Sequence, residues 1–509
     1  MLTLAVIFSD DMVLQRDKPI PVWGKGEAGR RITVTLGGET ASAAAGRDGQ
    51  WRVILGPLGA GAPLTMTVSD GAETLERRNV RLGEVWLAGG QSNMEMALRD
   101  CKGGKKEMAA SAGKNVFFYN VPRCAVTGEA LERAEAESHW LPCTPETVGD
   151  MSAVAWFFAC QIAETQNVPV GIIDCYWGGT SVSCWMSREQ LERTAAGERY
   201  LTDYAALVGD KTDEQYEAEM VEYDRQWQAW NDRVEARRAA DPRVTWETLN
   251  RECGICPWPQ PAGNASPFRP AGLYYTMLQP VCPYALRGFL YYQGEEDSTF
   301  HFHTYGEMMT LLIDQWRTDW EDDLLPFLFV QLPMYISREE YEAHQDDGHW
   351  SYLREEQGKV SRTVANTALA VLTDCGEFDN IHPLDKKTVG DRLALQARRK
   401  VYGEPVAADG PSPQSVRRLD SGLEIRFRDT AGALQIRGDT LEGFELAGED
   451  GIYYPARGTV GLDRVKVRSE QVPEPKTVRY AWFRFGPANL YNAAGLPAAP
   501  FRTDRQRVD

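Results

Sequence analysis

The sequence predicts a mixed α/β protein, in which a central α/β unit built on a parallel sheet is flanked by two β-rich units. Three observations predict it. Residues 1–82 alternate polar and apolar side chains in short runs separated by turn clusters, which is the grammar of half-buried strands. From Gly83 the chain changes to apolar strands that end in Gly-rich turns and pass into helical periodicity, and from residue 404 alternation returns. A length of 509 residues, at roughly 150 per domain, also gives about three units.

In the first unit, strand signals at Arg31 to Leu36, Trp51 to Leu55 and Leu64 to Val68 lie among the turns GKGEAGR, GRDGQ and SDGAE, and read as an all-β sandwich. In the second, residues 83–403, VWLAGGQSNMEMAL and VGIIDCYWGGTSVSCWM each join a strand to a glycine turn and a helical stretch, as crossover units of a parallel sheet do. Residues 187–250 are rich in Glu, Arg, Ala, Trp and Tyr and read as a pair of amphipathic helices inserted into that unit. A Pro-rich loop, CPWPQPAGNASPFRP, closes the insertion, which reads as a solvated excursion able to wall a cleft. Strand signals return at Gly288 to Gln293, Leu325 to Leu332 and Ala368 to Asp374, with a helix after His382. In residues 404–509, LEIRFRD, ALQIRGD and VRYAWFRF mark a second β-sandwich-like unit.

Charge and cysteine content narrow the class of function. With 55 Lys and Arg against 73 Asp and Glu, the net charge of −18 repels phosphate backbones and anionic lipid surfaces, so neither nucleic acid nor membrane is an expected partner. The opening MLTLAVIFSDDMVLQ lacks a basic leader and meets Asp10 and Asp11 early, which leads to the expectation of a cytoplasmic protein. Ten cysteines are too few for a disulfide scaffold and are expected as reduced thiols. Cys253 and Cys256 have the spacing of half a zinc site but lack a second pair or a nearby histidine, so no metal is expected.

Four strand-end turns can carry chemistry. Gly89-Gly90-Gln91-Ser92-Asn93-Met94 follows the apolar strand Val85 to Ala88, and such a turn lifts a small nucleophile to the edge of a sheet beside free helix N–H groups. On its own, this turn is also ordinary tight-turn material with an N-cap serine. In Asp379-Asn380-Ile381-His382-Pro383, a carboxylate three positions before a histidine can accept the imidazole Nδ1–H and leave Nε2 free as a base. With only 6 histidines in the chain there are few rivals for that role. An oxyanion hole needs preorganised donors, and Trp177-Gly178-Gly179-Thr180 offers the Gly179 N–H while Tyr292-Gln293-Gly294-Glu295 offers the Gln293 amide. All four turns are expected at one edge of one sheet, where ligands gather in open α/β folds.

Gly83-Glu84-Val85-Trp86 running into GQSNME, then WGGT, YYQGE and DNIHP with Lys386, Gly390 and Arg392 to Ala394, resembles the sialate O-acetylesterase family of SGNH-type hydrolases. FSDDMVLQRDKPIPVWG and the closing VRYAWFRF…NLYNAAGLPAAPFRTD resemble its flanking β domains. The resemblance implies a flavodoxin-like three-layer α/β/α catalytic core and a cofactor-free serine esterase that removes O-acetyl groups from sialic acid or related acetylated mono- or oligosaccharides. It matches Ser92 to the nucleophile, His382 to the base and Asp379 to the acid. Glu295 is the alternative acid, because related carbohydrate esterases use the glutamate of this turn; local spacing favours Asp379. The Ser92 and Gly179 N–H groups with Gln293 would hold the oxyanion, and Arg354 of the Arg-Glu-x-Gln pattern could hold a substrate carboxylate. Trp177 and Trp185, flanking the Gly-Gly turn, are the candidates for contact with sugar. Glu296 and Asp297 stand where the family usually has Ser-Asn, and added acids disfavour an anionic sugar. An acetyl-xylan or other oligosaccharide esterase, and a non-catalytic carbohydrate-binding protein on this scaffold, are the alternatives; a homo-oligomer is left open.

Overall fold

One strand, Thr74–Gly90, runs through two parts of the molecule in the computed structural model, which describes residues 1–241, 244 and 246–504. Its first half pairs antiparallel with Leu64–Ser69, while its second half pairs parallel with Val170–Tyr176 on one side and Gly288–Tyr292 on the other. The sequence explains the change of partner. Residues 74–79 mix exposed and half-buried side chains, as a strand with a wet face does, whereas Val85 to Gly90 are buried throughout, as a strand covered on both faces must be. Residues 82 and 83, where the sequence changes grammar, therefore lie inside a continuous strand. The core is continuous as well, since Ile32, Val34 and Trp51 of the β-rich flank belong to the same buried cluster as Trp86 and Ile172.

The central sheet runs Leu141–Pro142, Val116–Asn120, Val170–Tyr176, Thr74–Gly90, Gly288–Tyr292, Phe327–Gln331, Thr367–Val371, and every pairing within it is parallel except that of the short Leu141–Pro142. Strands that follow Thr74–Gly90 in the chain go first to one side of it and then to the other. Connections diverge at this strand, which makes its carboxyl end the crevice of the sheet. Both faces are covered. Trp86 packs edge-on against Phe158 of the helix Ala153–Gln166, with ring centroids 5.0 Å apart, and on the opposite face a Cβ at Gly89 would lie 3.0 Å from Trp316 of the helix Tyr305–Asp319. The helix Lys386–Lys400 packs beside the first of these and His349–Thr363 beside the second.

The insertion is more elaborate than a pair of helices. Arg188–Leu191, Ala195–Val208, Asp213–Ala240 and Trp246–Cys253 make four, with residues 242, 243 and 245 outside the described residues. The 28-residue helix begins at a capping box between Thr212 and Gln215 and buries only Tyr216, Tyr223, Trp230 and Val234. These sit at heptad-like spacing, so one narrow stripe faces protein and the rest faces water. Cys253 joins Trp230, Val234 and Leu249 in a small apolar cluster there.

Past Gly403 the chain forms two four-stranded sheets and a two-stranded one, around a separate core that includes Ile425, Leu446, Val465, Val478 and Tyr480. Residues 505–509 lie outside the described residues. Paired charges join this unit to the central one: Arg484 with Glu340 at 2.7 Å and Arg502 with Glu355 at 3.0 Å.

Candidate active site

The strand Thr74–Gly90 delivers Ser92 to the crevice through a turn that only glycine permits. Gly90 has φ +135°, and a Cβ there would lie 2.1 Å from the Tyr292 carbonyl oxygen of the neighbouring strand. The chain then turns at once into the short helix Ser92–Glu95. Gln91, just before the serine, is buried, and its Oε1 accepts from the Gly294 N–H, the Glu296 N–H and Gln293 Nε2. The serine turn is thus fastened to the turn that follows Gly288–Tyr292.

His382 arrives from the other end of the chain, on the loop between Thr367–Val371 and Lys386–Lys400. Its Nε2 lies 2.8 Å from Ser92 Oγ. Burial, together with the neighbouring Lys386 ammonium, lowers the imidazole from its ordinary value to about 4, so it is neutral and able to accept a proton at neutral pH. Asn93 binds the two halves of this pair together. Its Nδ2 donates to the Ile381 carbonyl at 2.9 Å, one residue before the histidine, and to Glu295 Oε1 at 2.6 Å, while its Oδ1 accepts from Lys386 Nζ at 2.5 Å. Glu295 and Lys386 are both buried. Burial pushes the Glu295 carboxyl up to about 7 against the pull of the Asn93 hydrogen bond, and lowers the Lys386 ammonium to about 8 against the pull of Glu295.

The Gly178–Gly179 turn closes the other side. Trp177 N–H donates to the Gly90 carbonyl at 3.2 Å and Gly178 N–H to Glu95 Oε2 at 2.5 Å, which draws the turn against Ser92; a Cβ at Gly178 would lie 3.2 Å from Ser92 Cβ. Gly179 has φ +73°. Among the described residues, neither the Ser92 nor the Gly179 N–H has an intramolecular acceptor, so both can donate to an oxygen beside the serine. A serine, a neutral base and two free donors together suit acyl transfer.

Residues 268–399, which carry Glu295, His382 and Lys386, match the model of a carbohydrate esterase family described as sialic acid-specific acetylesterase. A carbohydrate acetylesterase from Xanthomonas citri has a solved structure that superposes with a TM-score of 0.76 at 32% identity, over 99% of this chain and 100% of that one. The chain belongs to the sialate O-acetylesterase family of carbohydrate esterases. Sialate O-acetylesterases of Rattus norvegicus and Homo sapiens are 28% and 26% identical to it, over 80% and 82% of this chain and 75% and 74% of theirs. As a member, it is a carboxylic ester hydrolase.

Several expected roles in this esterase need correction. Asp379 does not reach the imidazole. Its Oδ1 accepts from the Arg338 backbone N–H at 2.8 Å, and its Oδ2 lies 3.7 Å from Arg338 Nε. Asp379 itself sits at φ +57°, and Asn380 Oδ1 caps the His382 N–H, so the Asp-x-x-His turn sets the path of the main chain rather than the tautomer of the ring. Glu295 connects to the pair through Asn93, and among the described residues no carboxylate hydrogen-bonds the imidazole. Gln293 is not an oxyanion donor either. Its Nε2 is spent on Gln91 Oε1, the Thr180 carbonyl and Asp297 Oδ2, and its Oε1 accepts from Tyr305, so the amide fastens three turns from beneath.

Trp185 is fully buried, with Nε1 donating to Thr180 Oγ1, and cannot meet a sugar. Trp177 is half-buried beside the glycine turn. Arg354 is buried too and donates to the carbonyls of Ala481 and Phe483 in the C-terminal unit, so it holds protein rather than a substrate carboxylate. Asp297 is buried between Tyr200, Gln293 and the Val182 N–H, and is structural. Sequence reasoning missed Gln91, Asn93 and Lys386. The first two lie within GQSN, where a polar pair flanking a serine was a usable signal; the third stands in the pattern that follows DNIHP, but a lysine at a helix start reads as solvated and was given no role.

Proposed function

We propose that the enzyme hydrolyses O-acetyl esters of sugars through an acetyl-enzyme formed on Ser92, within an SGNH-type core. The 2.8 Å contact between Ser92 Oγ and His382 Nε2 carries this reading. Ser92 Oγ attacks the acetyl carbonyl carbon as its proton passes to Nε2, and the carbonyl oxygen, now negative, accepts hydrogen bonds from the Ser92 and Gly179 N–H groups. The bond to the sugar oxygen then breaks, and that oxygen takes the proton from Nε2–H. Water attacks the acetyl-serine with His382 again as base, and acetate leaves as Ser92 Oγ recovers its proton. The relatives support acetylated carbohydrates as the substrate class. Glu295 and Asn93 are positioning residues that hold the histidine loop against the nucleophile turn.

All ten cysteines are free, which supports a reducing, cytoplasmic setting and with it mono- or oligosaccharides rather than polymers. Replacing Ser92 by Ala is expected to lower turnover on an acetyl ester by about a thousandfold or more with thermal unfolding unchanged. Activity retained in that variant would remove the nucleophile assignment.

A further inference from the structure

The helical insertion contributes nothing to the acyl transfer described above, yet it sets one aromatic side chain beside the nucleophile. The loop after Trp246–Cys253 is tied down along its length: Trp230 Nε1 donates to the Gly254 carbonyl at 2.7 Å, Tyr223 Oη to that of Pro257 at 3.0 Å, Lys211 Nζ to that of Ala262 at 2.9 Å and Tyr204 Oη to that of Gly263 at 2.9 Å. All four donors come from the insertion. What they hold is Trp258, whose indole edge reaches the Gly178–Gly179 turn. A Cβ on Gly179 would lie 2.1 Å from Trp258 Cη2, and Phe268 braces the ring edge-on with centroids 5.3 Å apart.

The turn that Trp258 touches is the one that packs on Ser92. Trp258 nevertheless remains 51% exposed. A large aromatic surface anchored so firmly and left facing water, within one turn of a reacting group, marks a place for an apolar ligand face. Resting on the reading that Ser92 deacetylates sugars, we propose that Trp258 is the platform on which the sugar ring of the leaving alcohol stacks, and that the insertion exists to hold it there. A pyranose offers a C–H face to such a ring and hydroxyls to solvent, and an aromatic side chain pays little entropy to meet it. Trp258 is thus a specificity-determining residue that touches the leaving group but none of the reacting atoms.

The test compares esters with and without a ring. Trp258→Ala and Trp258→Phe are assayed on acetylated glucose and acetylated xylo-oligosaccharides, and on vinyl acetate, whose leaving group has no face to stack. The expected result is a loss of roughly tenfold or more in kcat/KM on the sugars for Trp258→Ala, carried mainly by KM, with most of it restored in Trp258→Phe and vinyl acetate changed by less than about twofold. Equal losses on both classes would overturn the proposal and make Trp258 a brace for the oxyanion turn, and so would no loss on either. A wild-type enzyme that cleaves vinyl acetate but none of the sugars would overturn the sugar reading and the platform with it. Loss of vinyl acetate cleavage on Ser92→Ala, together with the sugar-specific loss on Trp258→Ala, supports both.

Discussion

At the residue scale, the Ser92–His382 contact is set by side chains next to the two residues rather than by the two alone. Asn93 joins the serine turn to the carbonyl before His382, and Lys386 with Glu295 holds Asn93 from the other side. Replacing Asn93 by Ala is therefore expected to cost about ten- to a hundredfold in kcat with KM little altered, whereas Asp379→Asn, which disturbs a contact to Arg338, should cost less than about threefold; steady-state kinetics on one acetyl ester checks both. The pH profile follows from the imidazole. His382 is held at about 4, below the ordinary 6.5, so it stays neutral as pH falls past the usual range and gains a proton only near 4. The acid limb of kcat/KM should thus lie well below pH 6, and a limb near 7 would show instead that the Glu295 carboxylate must be ionised. That Ser92 and His382 would meet was legible in the sequence, because each lies in a turn or loop of distinct composition beyond a strand of the central sheet. The acid was not. Spacing of three residues places Asp379 near His382 along the chain, but its left-handed backbone conformation points the carboxylate at Arg338.

Among the elements, strand ends bring the candidate site together and the glycines at those ends let them meet. Gly90 is expected to tolerate no side chain: Gly90→Ala forces a Cβ to within 2.1 Å of the Tyr292 carbonyl at a positive φ, and should lower stability by ~2 kcal/mol or more, read as a fall in the thermal midpoint. The buried strands were readable from sequence because a run such as VWLAGG, apolar at successive positions, suits only a strand covered on both faces. The insertion was readable as helical but not in number or length, since the 28-residue helix buries a single stripe and its remaining faces carry no periodic signal. Trp258 escaped notice for a related reason: a tryptophan in a Pro-rich loop has no pattern to place it, and only tertiary hydrogen bonds from Tyr223 and Trp230 bring it to the crevice.

For the whole molecule, the continuous strand Thr74–Gly90 and the shared core make the N-terminal β-rich part an extension of the central sheet, while the C-terminal part has a second core, which also takes in Met334, and docks through charged, polar and aromatic contacts such as Tyr352 with Trp482. The change of grammar at Gly83 was visible in the sequence; that it falls within one strand was not, because alternation and full burial can follow each other without a turn. Arg354 belongs to this scale. Its guanidinium enters the C-terminal unit, so Arg354→Ala is expected to lower stability by about 2–4 kcal/mol in thermal or urea unfolding while leaving KM for an acetylated sugar unchanged. With that cation committed to protein and acids gathered at Glu295 to Asp297, acetate release from neutral acetylated sugars should exceed release from 9-O-acetyl sialic acid.

Labelling with a fluorophosphonate, which captures an activated serine, followed by peptide mapping, tests the central claim most directly. One equivalent of label on the peptide bearing Ser92, lost in both Ser92→Ala and His382→Ala, is the result the geometry predicts. Label on another residue, or hydrolysis that continues after Ser92 is blocked, would contradict it.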